Sequence, residues 1–395
     1  MKQTKHFRAR LMKGVGANIV ILGMVSLFTD LGSQMVFPLI PLFLTTTLGA
    51  SMFVVGLVEG SAETVASLLK VFSGYWSDKI KRRKPFILAG YGLSSLAKPL
   101  FAFAGTWQAV FGIRIVERVG KGIRSAPRDA IIAESCDKDV RGKAYGIHRA
   151  MDGTGSLLGA ALAFLLLFSL GYRDVFLLAS IPSLIAVLLI IFVKEEKNKT
   201  LQPITNTKKS IRISFKSLTP QLRYFTIVAT IFALGNFGYA FLMIRALDIG
   251  LSDHIALLLY IIFYIIYTIF TIPAGIISDK IGRKPVIGIG YVLFGLTSLG
   301  LIFVSSLSQI IWVFVLYGVF YAMIDGAQRA FVVDLSPPDL KATALGTFHT
   351  ATGLAATPAG GIAGLLWGMI SPETAFTYGF VLSLVAAASL LKLKI

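Results

Sequence analysis

Cysteine is almost missing from this chain. Cys136 is the single one in 395 residues, which excludes a disulfide framework and any multi-cysteine metal site. Histidine is nearly as scarce, with four scattered copies, so neither a nucleophile–base pair nor a metal cluster of the kind an enzyme needs stands out. There is no glycine-rich nucleotide-binding loop and no connection long enough to hold an appended sensor domain. No cofactor and no metal are therefore expected. Charge is thin as well, at 15% of residues, and unbalanced, with 20 Asp and Glu against 38 Lys and Arg. What fills the chain instead is apolar: 55% hydrophobic residues and a mean hydropathy of +0.76. A soluble fold of this length could not hide that much apolar surface.

Nearly uncharged runs predict twelve membrane spans. They lie near 16–45, 51–77, 85–105, 107–134, 142–169, 173–194, 223–247, 254–278, 286–305, 308–334, 342–369 and 374–391. When the connections are assigned alternately to the two sides, 27 of the 38 Lys and Arg fall on one side and Arg173 alone on the other. The remaining ten lie within spans. The positive-inside rule then puts both termini in the cytoplasm. Most of the net charge of +18 is thus topology information, and no folded basic face is left for nucleic acid. The first thirty residues have a basic lead and an apolar run without a clear small-residue cleavage site, and read as a retained first span. The Asn198-Lys-Thr200 sequon falls on the cytoplasmic side, where it would go unused.

One stretch occurs twice. Gly74 to Pro85 reads G-Y-W-S-D-K-I-K-R-R-K-P, and Gly275 to Pro285 reads G-I-I-S-D-K-I-G-R-K-P. Asp78 and Asp279 are 201 positions apart and Pro85 and Pro285 are 200 apart, so two homologous halves are expected. These residues resemble the cytoplasmic loop signature of the major facilitator superfamily, G-x-x-x-D-(R/K)-x-G-x-(R/K)-(R/K). The first copy departs from it at Lys81, where glycine is usual, and the second at Pro285. The resemblance implies an all-α integral membrane fold of twelve transmembrane helices in two six-helix halves with pseudo-two-fold symmetry. The divisions expected are residues 1–193, a basic cytoplasmic linker at 194–222, and 223–395. It further implies gating roles for Gly74, Asp78, Arg83, Gly275, Asp279 and Arg283. In the family the loop carboxylate meets the positive N-terminal end of a helix from the other half. That would set Asp78 against the eleventh span and Asp279 against the fifth.

Charges inside the spans are the remaining signal, since a carboxylate at the bilayer centre costs roughly 2.5–3.5 kcal/mol on insertion scales. Asp30 lies in the polar stretch Thr29 to Gln34 of the first span, and Asn236 to Tyr239 looks like its uncharged counterpart in the seventh. Glu59 and Glu63 are four apart and share a helical face. Lys98 is expected to neutralise one of these acids. Burial favours the protonated form of a carboxyl group unless a cation opposes it, so Asp30 leads Glu59 and Glu63 as a proton-coupling site. The other reading is ion pairing with a buried Lys or Arg, and both stay open. The fourth span is the densest, with Arg114, Glu117, Arg118, Lys121, Arg124, Arg128 and Asp129. At about 1.5 Å per residue, Arg114 lies about 10 Å deep and Lys121 about 21 Å. Arg118 and Gly122 match the family's R-x-x-Q-G-x-G pattern for this helix, which lines the central cavity there. Lys121 and Arg124 depart from it by adding charge.

Those cations either bind an anionic solute or form an internal salt-bridge lattice. In the first case the expected substrate-binding residues are Arg114, Arg118, Lys121 and Arg124, with Gln34, Asn236, Asp325 and Arg329. The expectation as a whole is a secondary transporter, not an enzyme, sitting in the cell membrane as a multi-pass monomer (the inner membrane in a Gram-negative cell). It would move a small organic anion by alternating access, driven by a proton or other coupling ion. The alternative is a drug/proton antiporter exporting amphipathic compounds. The fifth span lacks the proline of the drug-exporter signature, which weakens that alternative.

Overall fold

A computed structural model of the protein describes residues 16–80, 82–136, 141–194, 218–337 and 340–393. Every regular element among them is helical. In the first half of the chain these are α1 (Ala17–Val36), α2 (Leu39–Leu42), α3 (Met52–Ile80), α4 (Lys84–Leu100), α5 (Trp107–Glu134), α6 (Arg141–Leu178) and α7 (Ser180–Ile190). In the second half they are α8 (Pro220–Gly235), α9 (Tyr239–Asp248), α10 (Asp253–Ile281), α11 (Arg283–Phe303), α12 (Leu307–Asp334), α13 (Lys341–Met369) and α14 (Pro372–Leu391). Most of the expected linker at 194–222 lies outside the described residues. Nine described stretches are long and apolar enough to cross a membrane. One of them, Ala144–Ile190, is 47 residues long and is broken within α6 at Gly171, whose φ of 77° is a left-handed backbone that glycine tolerates. Helices α5 and α13 match the others in length but not in hydropathy. The first is crowded with charge and the second with Gly, Ala and Thr.

The breaks near the start of each half fall at matching places. Helix α1 ends just before Pro38, which lacks a backbone donor, and α8 gives way to α9 at Gly238, whose φ is 78°. The polar stretch Thr29–Gln34 does not interrupt α1. Thr29 returns its hydroxyl to the Val25 carbonyl oxygen at 2.7 Å, so the helix continues through it. At an offset of 200 the residue opposite Asp30 is Thr230, and Phe37-Pro38 stands opposite Phe237-Gly238. Asn236 is thus not the counterpart of Asp30.

The same offset recurs in contacts at the end of the bundle that carries both signature loops, called here the basic end. Lys84 Nζ donates to the carbonyls of Ile191 and Val193 at 2.9 and 2.7 Å, and Lys284 Nζ to those of Leu391 and Leu393 at 3.1 and 2.7 Å. Arg83 pairs with Glu134 at 2.8 Å, and Arg283 with Asp334 at 3.5 Å. Each arginine ties the start of one helix (α4 or α11) to the end of the next.

Small residues set the closest helix approaches. On α6, a Cβ at Gly155 would meet the backbone of Leu27, and one at Gly159 that of Leu31. Helices α3 and α13 are joined the same way. A Cβ at Gly56 would meet the Gly360 carbonyl, one at Gly60 the Ala356 carbonyl, and one at Gly364 the Met52 carbonyl. Without side chains between them the backbones touch, and van der Waals contact replaces the hydrophobic drive that lipid does not supply. The α3–α13 seam joins the first half of the chain to the second.

Candidate functional site

Helix α5 carries its charges on more than one face, and its neighbours decide what each can do. Arg114 is fully buried. It donates to Glu59 of α3 at 2.9 Å, meets Glu117 at 3.4 Å, and lies 4.1 Å above the Phe37 ring. Arg118 faces the same Glu117 oxygen at 3.5 Å and the same ring at 4.8 Å. Arg124 turns toward α4, where it donates to Ser94 at 2.7 Å and lies 4.5 Å above Tyr91. That approach depends on glycine, since a Cβ at Gly90 or Gly120 would come within 2.6 Å of the facing backbone. Lys121 differs from all three. It is exposed, and among the described residues no Asp or Glu oxygen lies within 4.0 Å of its ammonium group.

A cavity of about 370 Å³ runs between the two halves of the chain. Its lining includes Glu59, Glu63 and Arg118 from the first half and Asn236, Asp325 and Arg329 from the second. Glu63 is exposed there and accepts from the Ser67 hydroxyl at 3.5 Å, with Arg118 and Lys121 the cations whose charges act on it most strongly. Asp325 pairs with Arg329 one turn on and accepts from the Tyr267 hydroxyl at 3.2 Å. Asn236 holds the α8–α9 break by accepting from the Gly238 amide at 3.2 Å. Exposure of the polar lining rises toward the basic end, from 16% at Glu59 to 33% at Asp325 and 42% at Arg329. The halves meet along the α3–α13 seam, where Thr64 donates to the Gly353 carbonyl at 2.6 Å, and again toward the far end. Tyr260 donates to Gln34 at 2.9 Å, Tyr239 to the Phe37 carbonyl at 3.4 Å, and Tyr172 to Asp253. The cavity is therefore capped at the far end and accessible from the basic end.

Several of these features did not emerge from the sequence. The cavity wall on the second half is aromatic, with Phe232, Phe237, Tyr239, Tyr317, Phe320 and Tyr321. The spacing of Tyr317 to Tyr321, and of Tyr260, Tyr264 and Tyr267 on α10, is the helical repeat that could have disclosed an aromatic face. Asp30 meets the carboxyl group of Asp152 in hydrogen-bonding contact, and Asp152 also accepts from Ser26 at 2.6 Å. No Lys or Arg nitrogen lies within 4.0 Å of Asp30 among the described residues.

Lys98 does not neutralise Glu59 or Glu63. Fully buried, it donates to the Thr29 carbonyl at 3.1 Å and the Ser183 hydroxyl at 2.8 Å, because α4 packs against α1 and α7 at this level.

At the basic end, Asp279 pairs with Arg283 at 2.5 Å within its own loop. The side chain of Asp78 lies outside the described residues. Gly74 packs against α5, where a Cβ would sit 3.2 Å from that of Ala126, while a Cβ at Gly275 would meet open space.

The chain is similar to known proteins over nearly its whole length. A family model described as Major Facilitator Superfamily matches residues 22–252 and again 223–394. MFS-type transporter MJ1317 of Methanocaldococcus jannaschii is 41% identical over 382 residues, covering 95% of this chain and 94% of that protein. Multidrug resistance protein MdtH of Proteus mirabilis is 28% identical over 205 residues, 51% of this chain and 48% of that protein. Among solved structures, a mutant form of the nucleoside transporter NupG superposes with a TM-score of 0.81 at 16% identity. That match covers 96% of this chain and 100% of the other, and at such identity it speaks to fold alone.

Proposed function

The chain belongs to the major facilitator superfamily, and on that premise we propose that it is a secondary transporter for a small organic anion, working by alternating access. Twelve spans in two six-helix halves (1–193 and 223–395, joined by the linker at 194–222) would rock around the shared cavity. In this reading the basic end is cytoplasmic, both termini lie there, and the protein works as a monomer in the cell membrane. The capped far end then corresponds to an inward-facing state.

The observation that carries the anion reading is Lys121. It sits at the middle of α5, three residues beyond the cavity-lining Arg118, and is exposed with no Asp or Glu oxygen within 4.0 Å among the described residues. A cation held at that depth is costly unless something answers it. Its neighbours Arg114 and Arg124 already have protein partners, so Lys121, with Arg118 beside it, is left for the solute. Coupling is assigned to Asp30. Its carboxyl contact with Asp152 provides a place where a proton can reside between two acids, away from the bulk of the cavity lining.

A second reading rests on the acids. Glu59, Glu63 and Asp325 line the cavity against Arg118 and Arg329, and Glu59 keeps one buried oxygen without a hydrogen-bond donor among the described residues. Such a lining also suits an amphipathic cation exchanged for protons.

Transport into proteoliposomes, with anionic and cationic solutes compared with and without a pH gradient, separates the two readings. Gradient-dependent movement of anions supports the first, and movement of cations alone sinks it. Asp30→Asn should abolish gradient-driven accumulation while leaving solute exchange intact. Accumulation that survives this change would move the proton site elsewhere.

A further inference from the structure

Lys121 and Tyr321 occupy matching positions, because α5 and α12 begin and end 200 residues apart. The two helices line one cavity with different chemistry, α5 through Arg118, three residues before Lys121, and α12 through Tyr317, Phe320 and Tyr321. Tyr321 is 38% exposed, whereas Tyr317 and Phe320 beside it are almost fully covered. Four rings hold Tyr321 in place: Phe263, Tyr267 and Phe320, with centroids 5.6–5.8 Å away and planes at 81–90° to it, and Tyr317, 5.8 Å away and tilted at 55°. Near-perpendicular neighbours from two helices, α10 and α12, fix the plane of the ring while its exposed part stays available. An aromatic surface held this way loses little freedom when something stacks on it.

We propose that the transported solute carries a planar aromatic ring, seated against Tyr321, with its acidic group directed to Lys121. This rests on the anion reading above and adds the ring to it. The cavity volume of about 370 Å³ suits a single-ring compound with a short acidic arm, near the small end of known ligand pockets. An apolar wall alone would accept a saturated ring equally well, because a cyclohexyl group is at least as hydrophobic as a phenyl group. A quadrupole-bearing wall favours the aromatic one, by roughly two- to ten-fold for a well-placed ring pair.

The test is ligand-induced thermal stabilisation of the purified full-length protein, titrated with four probes: phenylacetate, cyclohexylacetate, phenethylamine and cyclohexylethylamine. Phenylacetate should bind roughly two- to ten-fold more tightly than cyclohexylacetate, and both acids more tightly than both amines. Tyr321→Leu should bring the two acids within about two-fold of each other, and Tyr321→Phe should keep the preference. Equal or better binding of cyclohexylacetate to the unaltered protein overturns the ring inference and leaves the anion reading standing. Amines binding best, with phenethylamine ahead of its saturated counterpart, overturns the anion reading and leaves the ring. Stabilisation by none of the four overturns both.

Discussion

Helices α5 and α12 present the sharpest contrast in the molecule. Each spans 28 residues, each starts after a Thr or Ser in extended backbone, and each lines the same cavity. Where α5 carries Arg114, Glu117, Lys121 and Arg124, α12 carries Phe314, Tyr317, Tyr321 and Ile324 at the matching positions. One helix is held by a buried ion-pair network reaching to Glu59, the other by rings packed on rings. A duplicated fold has thus kept its geometry while the two walls diverged, one toward charge and one toward aromatic surface. The lesson is that the scaffold tolerates either filling as long as each is satisfied from within its own half.

That contrast can be broken most forcefully at Glu117. It is fully buried between Arg114 and Arg118, so Glu117→Gln leaves buried cations short of a counter-charge. A loss of roughly 3–5 kcal/mol in stability is expected, read as a large drop in melting temperature. At the matching position Tyr317→Phe removes only a hydroxyl, and thermal denaturation should barely register it. Equal losses from the two changes would mean that the walls are not stabilised differently. The seam between the walls comes next. Gly56→Ala drives a methyl group into the Gly360 carbonyl, for which overpacking of about 1–3 kcal/mol is expected. The far end should also become more accessible to a cysteine-directed label placed in the cavity, and unchanged labelling would detach the seam from closure. The smallest effect belongs to the Asp325–Arg329 pair, partly exposed and screened by water. Asp325→Asn should cost at most about 1 kcal/mol, so a larger loss would show that α12 also depends on charge.

Much of the fold was legible because it repeats. The duplicated loop, the spacing of apolar runs and the distribution of Lys and Arg all pointed to the same bundle. Helices α5 and α13 coincide with the expected spans 107–134 and 342–369 although hydropathy falls short there, since charge in one and small residues in the other dilute the signal. The site was less legible. Helical spacing sets Glu117, Lys121 and Arg124 on one face of the fourth span, but spacing does not say which helix that face meets. Arg124 is drawn to Ser94 by a glycine contact between α4 and α5. Arg114 finds Glu59 across 55 residues of sequence. Sequence spacing offers Asp152 a local partner in Arg149, three residues away, which it does use at 3.5 Å, and says nothing of Asp30. Only the close approach of α1 and α6 at Gly155 and Gly159 brings the two acids together. The tyrosines were hidden by their surroundings, since an aromatic face has little contrast in a chain that is 12% aromatic.

Lys121 answers either a solute or an internal acid, and one substitution distinguishes these. For Lys121→Gln, binding affinity and melting temperature are measured on the same purified protein, with phenylacetate as the probe. Loss of a charged hydrogen bond to the solute should weaken binding roughly ten- to a hundred-fold, with the melting temperature nearly unchanged. A fall in melting temperature, restored by also neutralising Glu117 or Glu63, would contradict it and make Lys121 part of the same buried network as Arg114.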